Sequence, residues 1–180
     1  MRSGCSILRN SALLVLLGFL SSSFTPGVFG AERENAPAAI ERKLQSVVDE
    51  LKSKLLIAPA VVVSIVPSNA LMMSVEAPED SKQAFSLTID ASFLETLSDD
   101  EIEAAIAHEL GHVWIFTHHP FLQTEELANQ IAMRAVSRAS LERVYAKVWQ
   151  RGGTKGDLVR FLGAEPAPAS AAGLAPDATR

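Results

Sequence analysis

The spacing of apolar residues predicts a long helix followed by three short strands. Between Ala38 and Pro59 the apolar residues recur every three or four positions, as on one face of a helix: Ile40, Leu44, Val47, Val48, Leu51 and Leu55. Three apolar runs follow between turn-forming residues, at 60–66, 70–76 and 84–90. Short runs bounded in this way are typical of strands. This part of the chain therefore predicts a helix and a small antiparallel or mixed sheet of three strands.

The pattern after residue 90 is helical. Residues 93–97 predict a short helix. Ser98 and Glu101 then stand three apart, as in a capping box, which predicts the start of a helix through a histidine-rich segment. Pro120 forbids the smooth continuation of that helix. Thr124 provides the next helix start, because its hydroxyl can cap a first turn that carries acidic residues.

The chain ends in a segment of different composition. Apolar residues keep a helical spacing up to Gly152, and a short helix is predicted at 157–162. Residues 164–180 are rich in alanine and proline and have too little apolar bulk to fold, so we expect a disordered tail. The elements together predict one α+β domain over residues 31–163, with a three-stranded sheet packed on helices.

The first 30 residues have the pattern of a secretory signal. Arg2 and Arg9 precede an apolar run at 12–20, and "VFG" offers small residues just before Ala31. The run is shorter than the roughly 20 apolar residues that a membrane-spanning helix needs. We therefore expect cleavage and export to the periplasm or the extracellular space. The alternative is an uncleaved anchor, which would hold the domain at a membrane.

Charge and cysteine content exclude two classes of protein. The chain has 16 basic and 21 acidic residues, a net charge of −5, and loss of Arg2 and Arg9 would leave 14 against 21, a net charge of −7. Such an acidic domain is a poor partner for nucleic acid. The single cysteine, Cys5, lies within the predicted signal. An exported domain without cysteine must be stabilised by packing or by a metal and not by disulfides.

All four histidines lie in the segment "AIAHELGHVWIFTHH". His108 and His112 are four residues apart and share one helix face, and Glu109 completes an HExxH motif in which the imidazoles bind zinc and the glutamate acts as general base. A chance pattern on an amphipathic helix is the alternative. Three polar groups on a buried helix face would be costly without a partner, however, and a metal supplies one. Gly111 leaves room for close packing between the histidines.

A zinc site needs a third protein ligand, and two residues compete for that role. His118 has the spacing of the third histidine in metzincin peptidases, but Ile115 stands where that class has a turn-forming glycine. Glu125 begins the next predicted helix, and Asn129 follows on the same face. His119 could steady an oxyanion or belong to a polar loop. Tyr145 lies at the helical spacing of core residues, together with Val144 and Val148, which predicts a packing role.

The stretch "TIDASFLETLSDDEIEAAIAHELGHV" with the later "EELAN" resembles the gluzincin metallopeptidases, above all the CAAX prenyl proteases and their bacterial periplasmic relatives. The resemblance implies a zincin-like fold, one Zn²⁺ per chain and a polypeptide substrate. It implies zinc ligands at His108, His112 and Glu125, and a general base at Glu109. It also implies that the strand at 84–90 is an edge that aligns the substrate as an added strand.

The chain departs from the family pattern in two ways. Asn129 replaces an aspartate, and the gap between His112 and Glu125 is short, so the insert that covers the substrate is absent. Asn129 can accept a hydrogen bond from a ligand histidine but lacks the aspartate's charge, so the sequence predicts weak or lost catalysis. It also predicts that Asn129→Asp tightens zinc binding or raises turnover. The resulting hypothesis is an exported zinc endopeptidase. Its rivals are a non-catalytic, chaperone-like polypeptide-binding module and a metal-free structural helix.

Overall fold

The computed structural model describes residues 36–80 and 84–164. The elements in chain order are α1 (Ala36–Leu55), β1 (Val61–Val66), β2 (Met73–Glu76), β3 (Phe85–Asp90), α2 (Ala91–Leu94), α3 (Asp99–His118), α4 (Glu125–Ala132), α5 (Arg138–Gly152) and α6 (Leu158–Leu162). No helix within these described ranges is long and apolar enough to cross a membrane. The predicted signal at 1–30 and residues 165–180 of the predicted tail lie outside the described residues.

A single mixed sheet packs with the helices, which confirms the predicted α+β class. The strands lie in the order β1-β3-β2, with β1 parallel and β2 antiparallel to β3. The prediction that the strand at 84–90 is an edge was wrong, because that strand is β3, in the centre, and β2 is the edge that packs on α3. The residue pattern of a strand does not reveal its neighbours in the sheet, so nothing in the sequence could correct the strand order implied by the resemblance.

Two element boundaries differ from those predicted. The second strand begins at Met73 because a turn precedes it, in which the Met72 N–H donates to the Asn69 carbonyl (2.9 Å) and Met72 has a φ of 67°. The helical segment after Thr124 divides into α4 and α5, because the Ser137 side chain accepts from the backbone of Ser140 and caps a new helix. No glycine or proline interrupts this part of the chain, so the residue spacing carries no sign of the break.

The buried helix α3 contacts α1, β2, α4 and α5. Its capping box forms as predicted, with the Ser98 N–H donating to the Glu101 carboxylate (2.8 Å), and the helix ends at His118, shortly before Pro120. Its fully buried side chains are Ala104, Ile106, Ala107, Leu110, Val113 and Ile115. Burial of these residues fixes the rotation of α3 about its axis and thereby the direction of the polar residues between them.

Gly111 allows α4 to approach α3 closely. A Cβ atom at this position would lie 2.4 Å from the carbonyl oxygen of Ala128, far inside van der Waals contact. The sequence predicted close packing at Gly111, and the element that packs there is the backbone of α4. This approach brings the first turn of α4 next to the histidines of α3.

The outer edge of β1 is covered by side chains of α1. Gln45 accepts from the N–H of Val63 (3.1 Å) and donates to the carbonyl of Val61 (3.0 Å). Glu41 accepts from the N–H of Ile65 (3.0 Å). These contacts take the place of the hydrogen bonds that a further strand would make. The two edges of the sheet thus differ, with β1 sealed by α1 and β2 lying against α3.

Candidate metal centre

Two helices bring three potential metal ligands together. His108 and His112 project from α3, and Glu125 is the first residue of α4, where the Thr124 side chain caps the helix by accepting from the backbone of Leu127. The His108 Nε2 lies 3.2 Å from one Glu125 carboxylate oxygen, and the His112 Nε2 lies 3.6 Å from the other. The two Nε2 atoms are 3.3 Å apart.

This donor set fits a zinc ion. Tetrahedral zinc with bonds of about 2.0–2.2 Å holds neighbouring donor atoms roughly 3.3–3.5 Å apart. The three distances between His108, His112 and Glu125 fall close to that range. Two imidazoles and one carboxylate form a ligand set found in catalytic zinc sites, which leave a fourth position for water or substrate. Among the described residues these three form the group placed to hold a metal ion.

The electrostatics of the centre follow from the close contact of carboxylates and imidazoles. The hydrogen bond from His108 holds the pKa of Glu125 below its ordinary value. Burial by itself lowers the pKa of His108, but the hydrogen bond to Glu125 and the charges of Glu125 and Glu109 outweigh it, so the pKa is raised. The protein therefore surrounds the histidines with negative charge, which also favours a bound cation.

Glu109 lies next to His108, His112 and Glu125 but is not one of the three potential metal ligands. Its side chain is buried, with 8% of the residue surface exposed, and this burial raises the pKa of the carboxyl group. The backbone N–H of Val75, in the edge strand β2, donates a hydrogen bond to the Glu109 carboxylate. Glu109 is thus held between the proposed ligands on α3 and the edge of the sheet.

The outer nitrogen of each histidine binds a side-chain amide. The His108 Nδ1 lies 2.8 Å from the Asn129 Oδ1, and the His112 Nδ1 lies 3.2 Å from the Gln123 Oε1. Asn129 was predicted as such a partner from its position one turn after Glu125. Gln123 was not singled out, because it lies in the loop before α4, where no helical or strand spacing points to it.

Tyr145 has a polar contact in addition to its predicted packing role. Its ring packs against Trp149 and Phe161, with centroids 5.4 and 5.2 Å away. Its hydroxyl accepts from the Asn129 amide (2.7 Å) and makes a long hydrogen bond to Glu125 (3.5 Å). Burial raises the pKa of Tyr145, so the phenol remains protonated at neutral pH. The sequence spacing indicated the packed ring but not the position of the hydroxyl.

The remaining candidates lie away from the centre. The ring of His118 stacks on Trp114, with centroids 4.0 Å apart, and its Nδ1 contacts the Trp114 carbonyl (2.8 Å). His119 caps the C-terminus of α3, and both histidines are exposed. The structure therefore brings neither His118 nor His119 to the group formed by His108, His112 and Glu125.

A cavity of about 400 Å³ opens beside the centre. Its polar side is formed by His108, Glu109, His112, Glu125 and Tyr145. Its apolar wall comes from the β2 region, α2 and α5 and comprises Leu71, Met73, Val75, Phe93, Leu141, Val144 and Val148. The space can admit part of a polypeptide next to both the proposed base and the proposed metal ligands.

Comparison with protein families gives a match over most of the chain. Residues 36–171 match Peptidase family M48. Comparison with curated protein sequences finds no significant match. A solved structure that is similar is the crystal structure of the metallopeptidase zymogen of Pyrococcus abyssi abylysin, at 15% identity and a TM-score of 0.45, over 63% of this chain and 99% of that one. Because the family match spans well over half of the sequence, the chain belongs to Peptidase family M48, a family of zinc-dependent gluzincin metallopeptidases.

Proposed function

We propose that the protein is an exported zinc endopeptidase that hydrolyses polypeptides between β2 and α3. One observation supports this proposal more strongly than the others do. Glu109 is buried next to His108, His112 and Glu125 but is hydrogen-bonded to β2 and is not part of their group. A carboxylate in this position can act as a base for hydrolysis, whereas a purely structural metal site has no need of it.

The proposed chemistry divides between the metal and the protein. Zinc held by His108, His112 and Glu125 would supply an acidified water and an electrophile for the substrate carbonyl. Glu109 takes the proton of the attacking water on its carboxylate and then passes it to the leaving amine. Burial raises the pKa of Glu109, which favours this uptake of a proton. Tyr145 supports Glu125 from the side of the cavity.

The edge of β2 is proposed to align the substrate. The N–H of Val75 is directed to Glu109 and not to β3, so its carbonyl on the same side of the strand also faces away from β3. Because the Val75 N–H already binds Glu109, an extended polypeptide would pair with this edge through the Val75 carbonyl. Its scissile bond would then lie close to Glu109. The family resemblance assigned this role to the strand at 84–90, whereas the edge position belongs to β2.

The apolar wall of the cavity supports a preference for large apolar side chains beside the cleaved bond. Phe93, Leu141 and Val144 line the same cavity as the polar residues of the centre. Cleavage of an unfolded protein followed by mass spectrometry would show this preference as an excess of aliphatic and aromatic residues next to the cut. Cuts spread evenly over charged and apolar residues would contradict it.

Glu109→Gln tests the catalytic proposal. Loss of a general base typically lowers turnover by about 10²–10⁴-fold. We expect Glu109→Gln to bind zinc as the unchanged protein does while it loses hydrolysis of an unfolded protein. Glu126→Gln, at an exposed position of α4, is the matched control and should keep both properties. Zinc loss in Glu109→Gln equal to that in His108→Ala would make Glu109 a ligand and refute its role as base.

The rival proposal, a non-catalytic polypeptide-binding module, predicts a different result. Such a module would bind an unfolded protein at β2 with zinc present but would not cleave it. Export is tested separately, by N-terminal sequencing of protein recovered outside the cytoplasm, where a start at Ala31 is expected. Protein that retains residues 1–30 would indicate an uncleaved anchor.

A further inference from the structure

The edge strand β2 directs the backbone groups of Met73 and Val75 away from the rest of the sheet. In an antiparallel pair, alternate residues of one strand bind the neighbouring strand, and the residues between them face outward. The Asp90 N–H donates to the Met72 carbonyl (2.8 Å), so Met72 faces β3. Met73 and Val75, one and three residues later, therefore face outward. An added strand has to pair with the N–H and carbonyl groups of these two residues.

Both outward N–H groups already have a partner within the protein. The Met73 N–H donates to the carbonyl of Leu71 at 2.8 Å. The Val75 N–H donates to the carboxylate of Glu109. Among the described residues, no donor is bonded to the outward carbonyls of Met73 and Val75. The edge of β2 therefore offers acceptors to a further strand but no free donor.

A strained turn holds the Met73 N–H in this contact. The hydrogen bond from Met73 to Leu71 closes a three-residue γ-turn around Met72, whose φ is 67°. Turns of this kind are rare, because a side chain at positive φ crowds the backbone. Strained backbone persists only where the surrounding contacts fix it, and it is concentrated at functional sites. The strain at Met72 therefore calls for a structural support and indicates a function.

Asn69 supplies the structural support of the turn. Its Oδ1 accepts from the Leu71 N–H (2.9 Å), and its backbone carbonyl accepts from the Met72 N–H (2.9 Å). Its Nδ2 donates to the Thr88 hydroxyl (3.0 Å), which ties the turn to β3. Its own N–H donates to the buried carboxylate of Asp90 (3.0 Å). The turn is thus fixed by β3 and does not depend on a substrate.

We propose that β2 selects substrates by their backbone, as an edge that only accepts hydrogen bonds. A bound polypeptide donates two N–H groups, two residues apart in the substrate, to the carbonyls of Met73 and Val75. The substrate carbonyls beside them receive no N–H from β2. Proline is therefore excluded at these two substrate positions, because it has no N–H to donate. The inference rests on the proposed function, in which the same edge aligns the substrate for cleavage at Glu109.

An edge of this kind distinguishes a substrate from another copy of the protein. Two β2 edges that met would place carbonyl against carbonyl, because neither edge has a free N–H to donate. An extended substrate carries a donor at every residue except proline. The edge is thus open to a substrate and closed to itself, which gives the strain at Met72 a function.

A scan of modified peptides tests the hydrogen bonds one at a time. The zinc-loaded full chain is given casein as an unfolded protein, and one peptide that it cuts is synthesised as a fluorogenic substrate. N-methylation removes the donor of one residue, whereas a thioamide weakens the acceptor of one residue. We expect N-methylation to lower kcat/KM by about tenfold at two residues spaced two apart and to change it little at the residue between them. Thioamides at the same two residues should be tolerated.

Three results would overturn the proposal. Equal sensitivity to N-methylation at consecutive residues would show that β2 does not direct the pairing. A thioamide effect as large as the N-methyl effect at the same residue would show that β2 also donates. The cleavage sites in casein give a separate measurement, because proline should be missing at the two positions and present at their neighbours. Frequent proline at either position would contradict the acceptor edge.

Substitutions at Met72 test the role of the turn. Glycine adopts positive φ freely, so Met72→Gly should keep the turn and the result of the scan. Met72→Val should open the turn, because a β-branched residue is poorly tolerated at a φ of 67°. The freed Met73 N–H would then donate to the substrate, and a thioamide at the residue facing Met73 should lower kcat/KM.

Amide hydrogen exchange at Met73 reports whether the turn has opened in Met72→Val. An opened turn with an unchanged scan would overturn the proposal. If the turn stays closed or the variant does not fold, the scan of the unaltered chain decides.

The outcomes also separate this proposal from the proposed function. Binding of the casein peptides to the zinc-free chain is measured by fluorescence anisotropy and needs no hydrolysis. Binding with the expected N-methyl pattern but without cleavage would refute the endopeptidase alone. Zinc-dependent cleavage that tolerates N-methylation at every position would refute the acceptor edge alone. A chain that neither binds nor cleaves the peptides would refute both.

Discussion

The two sides of the metal centre are built from different parts of the molecule. On the inner side, His108 contacts the fully buried Asn129, which is tied to α6 through the carbonyl of Phe161. On the outer side, His112 contacts the exposed Gln123 in the loop between α3 and α4. The inner side is thus part of the core, whereas the outer side depends on a surface loop.

Because of this difference, changes on the inner side should affect both folding and metal binding, whereas changes on the outer side should affect only metal binding. A change on the inner side leaves a buried polar group without its partner, which costs stability as well as zinc affinity. A change on the outer side exposes groups that water can satisfy, so stability should hardly change. Glu125 touches both histidines and belongs to both sides.

The largest effect on zinc affinity is expected from Glu125→Ala. Removal of a proposed ligand whose carboxylate contacts both histidines should weaken zinc binding by more than about a hundredfold, beyond the range for outer partners. Zinc titration with a competing chelator measures this. Glu126→Ala and His118→Ala are controls, because both side chains are exposed and lie outside the group. Metal loss in His118→Ala with unchanged binding in Glu125→Ala would place the site in a different zincin class.

A second prediction breaks the contact that brings the two helices together. In Gly111→Ala the new Cβ would meet the carbonyl of Ala128, so α4 must move away from α3. Overpacking of this kind typically costs about 1–3 kcal/mol, and the shift of Glu125 should weaken zinc binding as well. Denaturant unfolding and zinc titration measure the two effects. Gly152→Ala is the matched control, because its nearest neighbour would be Thr154 Oγ1 at 3.5 Å; a loss of stability in the control equal to that in Gly111→Ala would contradict the packing argument.

Removal of zinc should lower stability, because the metal binds only the folded arrangement of α3 and α4. Free zinc at about a hundredfold above its Kd would stabilise the fold by about 2.7 kcal/mol. Thermal unfolding before and after complete chelation measures the difference. Hydrogen exchange should show the largest loss of protection in the first turn of α4. An identical melting curve with and without metal would mean that zinc has no structural role.

The smallest effects are expected from truncating the two amides. The effect of Asn129→Ala on unfolding should exceed that of Gln123→Ala. Asn129→Ala removes a fully buried amide and leaves the half-buried Phe161 carbonyl without this donor, which should cost about 1–3 kcal/mol in unfolding free energy together with zinc affinity. Gln123→Ala should reduce zinc affinity by less than about tenfold and leave unfolding unchanged. Chemical denaturation of the zinc-free variants separates them. Equal destabilisation by both would show that the two sides are not built differently.

Features of the centre that depend on nearby residues in the chain could be predicted from the sequence. Contacts between residues far apart in the chain could not. The spacing of His108 and His112 depends only on helix geometry, and the cap at Thr124 gave Glu125 its place in a first turn. The contact of Asn129 with α6 joins residues 32 positions apart and follows no periodicity. The exposed position of Gln123 likewise gave no reason to select it.

The order of the strands shows the same limit. The three runs of β-forming residues were recognised, and β1 and β3 begin within a residue of the predicted positions. Their pairing depends on contacts between segments more than twenty residues apart, such as Val61 with Phe85. The runs of β-forming residues between turns were therefore sufficient to find the strands but not to identify the edge that faces Glu109.

The sealed edge of β1 limits where an extended polypeptide can pair with the sheet. An open strand edge can recruit any extended polypeptide, including another copy of the same protein, and such pairing is a route to aggregation. Gln45 and Glu41 already occupy the outward backbone groups of Val61, Val63 and Ile65. Extended chains are thereby left with the edge at β2, where, under the proposed function, pairing would place them beside Glu109 and end in their cleavage instead of a growing fibril.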